Sequence, residues 1–343
     1  MVNKNITIKD IARKLGISKS TVSRALGNRA DVHPETKKKV LELAGKLQYA
    51  PNIFGINLKQ QKTNTIGVIV PETINSFFAR ALGGIQKRAE MAGVNVMICQ
   101  SNESYISEKK NITNLVTNRV AGMIVSVSRE TDNSEHFRPL LEKNIPLVFF
   151  DRICDDINAS TVITDNYEVT CEAVEHLISQ GMRRIAFVAG PQHLYNSKFR
   201  LKAFIDTMEK HNLPVLDYYI VHSNYQSDKV ETYTRYLINL PQRPEAIFAI
   251  NDAAALEMMD IIKKSGLKVP DDIAVLGFNN EAFGKYIEPS LTTVDQPAHE
   301  MGEVAAELLI HEIHHPEAPK ENRLVKSKLV VRASTRKCAS TKS

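Results

Sequence analysis

The chain holds 343 residues, 43% of them hydrophobic and 24% charged, with a formal net charge of +5. Those proportions exclude a disordered or fibrous chain and suit a small module joined to a bilobed body. No apolar run approaches the roughly 18 residues of a membrane span, and Met1–Asn5 lead into polar helix-forming sequence without a secretory apolar core, so a soluble cytoplasmic protein is expected.

The charge is uneven. Up to Lys62 there are 13 Lys and Arg against 4 acids, a charge of +9, and the remainder, 31 against 35, carries −4. A basic head on a mildly acidic body is the electrostatic footprint of nucleic-acid contact confined to one end. The four cysteines, Cys99, Cys154, Cys171 and Cys338, show neither paired metal-ligand spacing nor a disulfide framework and read as reduced thiols.

Thr7 to Asp10 form a capping box, and Ile8, Ile11, Ala12 and Leu15 follow on one face of a first helix. Gly16-Ile17-Ser18 supply a turn, and Ser18 caps a second helix, Lys19 to Leu26, packed through Val22 and Leu26. A third segment starts near Val32, with Pro34 at the first helical position and Val40, Leu43, Ala44 and Leu47 as its apolar stripe. The spacing is that of a helix-turn-helix, whose second helix enters the major groove. Lys19 and Ser20 are then expected at base edges, with Arg24 offering a guanidinium fork to a guanine. Thr21 and Ser23 suit phosphate oxygens, and Thr7 and Ser18 turn helix N-termini toward phosphate.

Ile6 to Ala12 and Gly16 to Leu26 closely resemble the headpiece of the LacI/GalR (lactose repressor) family of transcriptional regulators, and the likeness continues through Thr36, Val40, Leu47, Tyr49, Pro51, Asn52 and Leu58. The resemblance implies a helix-turn-helix head over 1–50 and a hinge helix over 51–62 that orders on DNA. There Asn52, Gly55 and Leu58 meet the operator, with Leu58 as the leucine wedged between base pairs. Two positions depart from the pattern: Gly55 stands where alanine is usual, which weakens the hinge helix by ~1 kcal/mol on propensity, and His33 stands where a serine-like cap is usual.

From Thr65 onward short apolar strands alternate with amphipathic helices. Strands are predicted at 65–71, 94–100, 122–127, 146–151, 160–164, 184–190, 218–223, 246–251 and 273–278, followed by a stretch at 291–297, a helix over 298–313 and one final strand near 324–331. Strands buried on both faces imply parallel sheets. The fold class is therefore α/β, an all-α head followed by a two-lobed core over 63–343. The resemblance makes that core periplasmic-binding-protein-like, with three crossings between lobes. Its first lobe is expected to take about 63–164 and 293–321, and its second about 165–292 and 322–337.

In such sheets ligands sit at the carboxyl ends of strands. Polar and aromatic residues cluster there: Asn75 with Phe77 and Phe78, Asp151-Arg152, Asp165-Asn166, Asn251-Asp252 and Asn279-Asn280. The resemblance adds Asn196 and Arg200 as ligand contacts and Tyr225 as the aromatic face. It also marks Asn279 as standing at a position often held by aspartate, a change from acceptor-only to donor and acceptor. Asp165, Asn251 and Asp252 equally suit helix capping, Asp151 and Arg152 suit a strand-end ion pair, and Arg200 suits a helix surface. His311, His314 and His315 read as surface residues rather than metal ligands, and no catalytic motif is present.

The expected function is a repressor, not an enzyme, without cofactor or metal. It would bind a near-palindromic double-stranded operator as a homodimer under a small-molecule effector, a sugar or sugar derivative. A body controlled by a protein partner is the alternative. The tail 333–343 has no apolar heptad, which favours a dimer over a tetramer.

Overall fold

The computed structural model describes residues 6–27, 31–47, 49 and 63–336. The chain divides into two compact units, Met1–Thr63 and Asn64–Ser343. Asn52, Gly55, Leu58 and Cys338 lie outside the described residues.

The first unit contains α1 (Ile8–Leu15), α2 (Lys19–Leu26) and α3 (Pro34–Lys46). The Asp10 carboxylate accepts from the Thr7 amide (3.0 Å) and hydroxyl (2.6 Å), so the first helix starts where the capping box places it. Gly16 ends it at φ 64°, the left-handed conformation that glycine adopts without steric cost. Ser18 Oγ accepts from the Thr21 amide at 3.0 Å. His33 does cap α3, its Nδ1 accepting from the Glu35 amide at 3.4 Å ahead of Pro34. Ile11, Ala12, Val22, Ala25, Val40 and Ala44 close the small core.

The second unit carries two six-stranded sheets. The first, ordered β11-β5-β4-β3-β1-β2, is parallel throughout and consists of β1 (Thr65–Val70), β2 (Asn95–Gln100), β3 (Met123–Val125), β4 (Leu147–Phe150), β5 (Ser160–Thr164) and β11 (Asn322–Val325). The second, ordered β12-β10-β9-β8-β6-β7, consists of β6 (Ile185–Ala189), β7 (Ile220–His222), β8 (Ala246–Ala249), β9 (Ala274–Phe278), β10 (Thr292–Asp295) and β12 (Lys328–Val330). Its strands run parallel except β12, which is antiparallel to β10.

Helices cover both faces of each sheet, which is why the strands are continuous apolar runs. In the first lobe Ile66, Val68, Ile124 and Phe150 pack under α4 (Ser76–Met91) and α11 (Ala298–His314), and Ile69, Val125 and Phe149 under α5 (Tyr105–Thr117), with Phe137 and the short α6 (Arg138–Glu142) beside them. In the second, Val188, Ile247 and Val275 pack against α9 (Ser227–Ile238) and α10 (Asp252–Lys264), and Phe187, Phe248 and Leu276 against α7 (Asn166–Ser179) and α8 (Tyr195–Lys210). Each fully buried side chain of this size contributes roughly 1.5–3 kcal/mol. Helices α4 and α11 approach so closely that a Cβ on Gly302 would stand 2.0 Å from the Ala81 carbonyl oxygen.

The chain crosses between sheets three times, after β5, after β10 and between β11 and β12. Two expectations about those crossings need correction. Residues 292–295 form β10 of the second sheet rather than opening the first lobe's second segment, and the single strand near 324–331 is two strands in different sheets, so 322–325 belong to the first lobe. Side-chain pattern reports burial and not the sheet that supplies it. The break falls at Lys326-Ser327, where the Asp165 carboxylate accepts from the Ser327 amide at 2.7 Å.

Candidate nucleic-acid interface and ligand cleft

On the head, Lys19, Ser20, Ser23 and Arg24 are exposed along α2, opposite the buried Val22 and Ala25. The hydroxyls of Ser20 and Thr21 meet Ser18 Oγ at 2.6 and 2.8 Å, so the cap and the first turn form one hydroxyl cluster. Thr7 is exposed at the start of α1. Arg24 Nη1 lies 3.4 Å from the Asp31 carboxylate, with both side chains about 60% exposed, a pairing weak enough to exchange for a base at little cost.

In the second unit, Asn75, Phe77, Phe78, Asp151, Asn196, Arg200, Tyr225, Asn251 and Asn279 line one cleft between the two lobes, whereas Asp165, Asn166, Asp252 and Asn280, also anticipated at strand ends, are not in its lining. Asn75, Phe77 and Phe78 come from the start of α4, Asp151 from the end of β4, Asn196 and Arg200 from the first turns of α8, and Tyr225 from the loop after β7. Asn251 caps α10, and Asn279 follows β9. The elements run parallel, so their carboxyl ends converge, as open α/β sheets require. Asp151 and Tyr225 (φ 59° each) and Asn279 (φ 113°) hold left-handed backbone at the rim, local strain that the packed sheets maintain.

Arg200 is not a surface residue. It is 3% exposed, donates from Nε to Asn166 Oδ1 (2.8 Å) and from Nη1 to the Ile250 carbonyl (3.3 Å), and its Nη2 has no hydrogen-bond partner. Burial pulls its pKa down, Tyr225 and Asp151 opposing. Asp151 is equally buried, and burial pushes its carboxyl up against the lowering fields of Arg200 and Arg152. Asp151 does not pair with its neighbour. Arg152 instead grips Glu103 bidentately from Nη1 (2.9 and 2.8 Å), with its guanidinium carbon 4.6 Å from the Tyr225 ring centroid and 5.7 Å from that of Phe78. Burial depresses the Arg152 pKa, and Glu103 together with Tyr225 and Asp151 more than offsets that, so the guanidinium stays charged.

Both rims are bridged. Ser76 Oγ donates to Glu281, Arg80 Nη2 to the Asn279 carbonyl (2.6 Å), and His193 Nε2 meets the Arg129 carbonyl at 2.7 Å. Gln296, just after β10, donates to Thr164 Oγ1 (3.1 Å) and reaches Asp151 at 3.5 Å.

Residues 7–52 match the bacterial regulatory proteins of the lacI family, and residues 174–335 the periplasmic binding protein-like domain. Over 339 residues the chain is 35% identical to the probable HTH-type transcriptional repressor ExuR of Bacillus subtilis, spanning 97% of this chain and 99% of that one. The chain belongs to the LacI family. It is a DNA-binding transcriptional repressor with a helix-turn-helix head and a periplasmic-binding-protein-like core. The HTH-type repressor CytR of Escherichia coli is 31% identical over 331 residues, 96% of each chain. The lac repressor dimer bound to operator and the anti-inducer ONPF superposes with a TM-score of 0.86 at 26% identity, covering 97% of this chain and 99% of that one. Among the described residues no helix is long and apolar enough to cross a membrane.

Two further residues of this LacI-family cleft, Ile250 and Gln296, were not anticipated at the site. Arg152, anticipated at the strand end with Asp151, lines the cleft but pairs with Glu103 and not with Asp151. Ile250 contributes a carbonyl, which no side-chain pattern reveals, and Gln296 enters from the third segment of the interlobe path.

Proposed function

We propose that two copies of this repressor read a near-palindromic operator through their α2 helices, in the cytoplasm and without a catalytic step, and that a small hydroxylated ligand closing in the cleft sets the operator affinity. One observation carries the reading: Asp151 and Arg200, from different lobes, are both buried in one cleft, and Arg200 Nη2 is unpartnered there. A buried donor without a partner costs about 1–3 kcal/mol, which a ligand acceptor would recover. Solved relatives bind sugars: the transcriptional regulator CelR is in complex with cellobiose, and a regulator of Alkaliphilus metalliredigens is in complex with D-xylulofuranose.

For the second copy, Met97 and Ile98 lie exposed on β2, the edge strand of the first sheet, with Ile74 and Met91 exposed on the same lobe, apolar surface that a partner subunit would cover. Selecting duplexes from random DNA tests the reading directly. It expects an inverted repeat, bound by two chains, whose affinity changes when a sugar or sugar derivative is added.

A further inference from the structure

The cleft wall has an unequal supply of hydrogen-bond donors and acceptors. Three of its asparagines spend their carbonyl oxygens on backbone amides: Asn75 Oδ1 accepts from Phe77 N (2.9 Å), Asn196 Oδ1 from Ser197 N (2.8 Å) and Asn251 Oδ1 from Ala254 N (2.8 Å). An amide nitrogen cannot accept those bonds, so each amide is fixed in orientation, with two NH₂ donors left against one remaining oxygen lone pair. The same cleft holds two guanidiniums. Arg152 is neutralised by Glu103, whereas Arg200 rests on the neutral acceptors Asn166 and Ile250, with Nη2 unpartnered in a side chain that is 3% exposed. Asp151, the one carboxylate in the lining, already has the Gln296 and Asn196 amides turned toward it.

Helix orientation adds to the asymmetry. Helices α4, α8 and α10, of 16, 16 and 13 residues, all begin at this cleft, and their first turns carry Asn75, Asn196 and Asn251 or are capped by them. Their N-terminal dipole ends favour negative charge.

We infer that the ligand of this cleft carries a carboxylate: a hydroxylated monoacid of sugar size, its carboxylate on Arg200 and the asparagine amides and its hydroxyls donating to Asp151. This deepens the reading above and rests on it. A phosphate dianion fits less well, because it would bring two negative charges instead of one into a cleft that already holds Asp151.

The test is calorimetric titration of the full-length protein with D-glucuronate, D-galacturonate and D-gluconate, each beside its neutral counterpart, D-glucose, D-galactose and sorbitol, and with D-glucose 6-phosphate. At least one acid is expected to bind about ten-fold or more tightly than its counterpart and than the phosphate, the effect of one charge-assisted hydrogen bond. Asn251→Asp keeps the helix cap, because aspartate caps as well as asparagine, but turns a donor into a carboxylate. It is expected to weaken the acid by about ten-fold or more, and by clearly more than it weakens the neutral counterpart. A neutral sugar or the phosphate binding as tightly as every acid would overturn the carboxylate and leave the cleft as a ligand site. Binding by none of the seven compounds would overturn both readings. An unchanged acid affinity in Asn251→Asp would overturn the donor asymmetry as its cause.

Discussion

The Arg200 guanidinium carbon lies 3.5 Å from the centroid of the Phe278 ring, so this cation is held by the end of β9 as well as by Asn166 and Ile250. Lysine reproduces the charge but neither the stacking nor the fork. Arg200→Lys is therefore expected to weaken ligand binding by roughly 10- to 100-fold, with ligand-free operator affinity held within about three-fold because the head is a separate site. Calorimetry and fluorescence anisotropy read the two quantities. Unchanged ligand affinity would take Arg200 out of the site.

At the other end of the chain, Arg24→Ala is expected to cost about 1–3 kcal/mol on a selected operator and much less on random DNA, since base contacts discriminate and phosphate contacts do not. The pair with Asp31 is too exposed to compete. Equal losses on both duplexes would refute a base contact.

Gly302→Ala tests the packing of the first lobe. The new methyl would stand 2.0 Å from the Ala81 carbonyl oxygen, a backbone atom with no rotamer to change. Helices α4 and α11 must separate, at a cost of about 2–3 kcal/mol. Urea unfolding measures it, and a midpoint equal to wild type would show that the helices have room to spare.

Asp252 gives a pH dependence of known sign. Burial pushes its carboxyl up to about 6, against the hydrogen bonds it accepts from Thr293 Oγ1 (2.5 Å) and the Glu281 amide (2.6 Å). The folded chain keeps this proton to a higher pH than the unfolded chain. The stability it supplies is thus complete below about pH 4 and lost as pH rises through about 6, on the order of 2–3 kcal/mol. Asn at this position serves the same two partners without titrating. The stability of wild type relative to Asp252→Asn is therefore expected to fall over that interval in urea titrations, and parallel curves would contradict the assignment.

What the sequence revealed was local. Thr7, Asp10, Gly16 and Ser18 act within a few residues of themselves, so capping rules place the head's helices. The core strands are buried on both faces, and their apolar runs made them readable. Partners distant in the chain were not readable. Arg152 finds Glu103 across 49 residues, and the tandem strands β11 and β12 look continuous until each is seen in a different sheet. Asn75 and Asn251 were recognised as cleft residues. That their oxygens are turned away depends on backbone amides whose positions only the fold defines.

The central claim is that occupancy of the cleft changes the grip on DNA. Its most direct test follows operator binding by fluorescence anisotropy, using the full-length protein and the duplex recovered by selection, with and without the tightest-binding compound of the calorimetric panel. The half-saturation point is expected to move by at least about five-fold in wild type and to stay in place in Arg200→Lys. Superimposable wild-type curves, at a concentration where calorimetry shows the cleft filled, would contradict it.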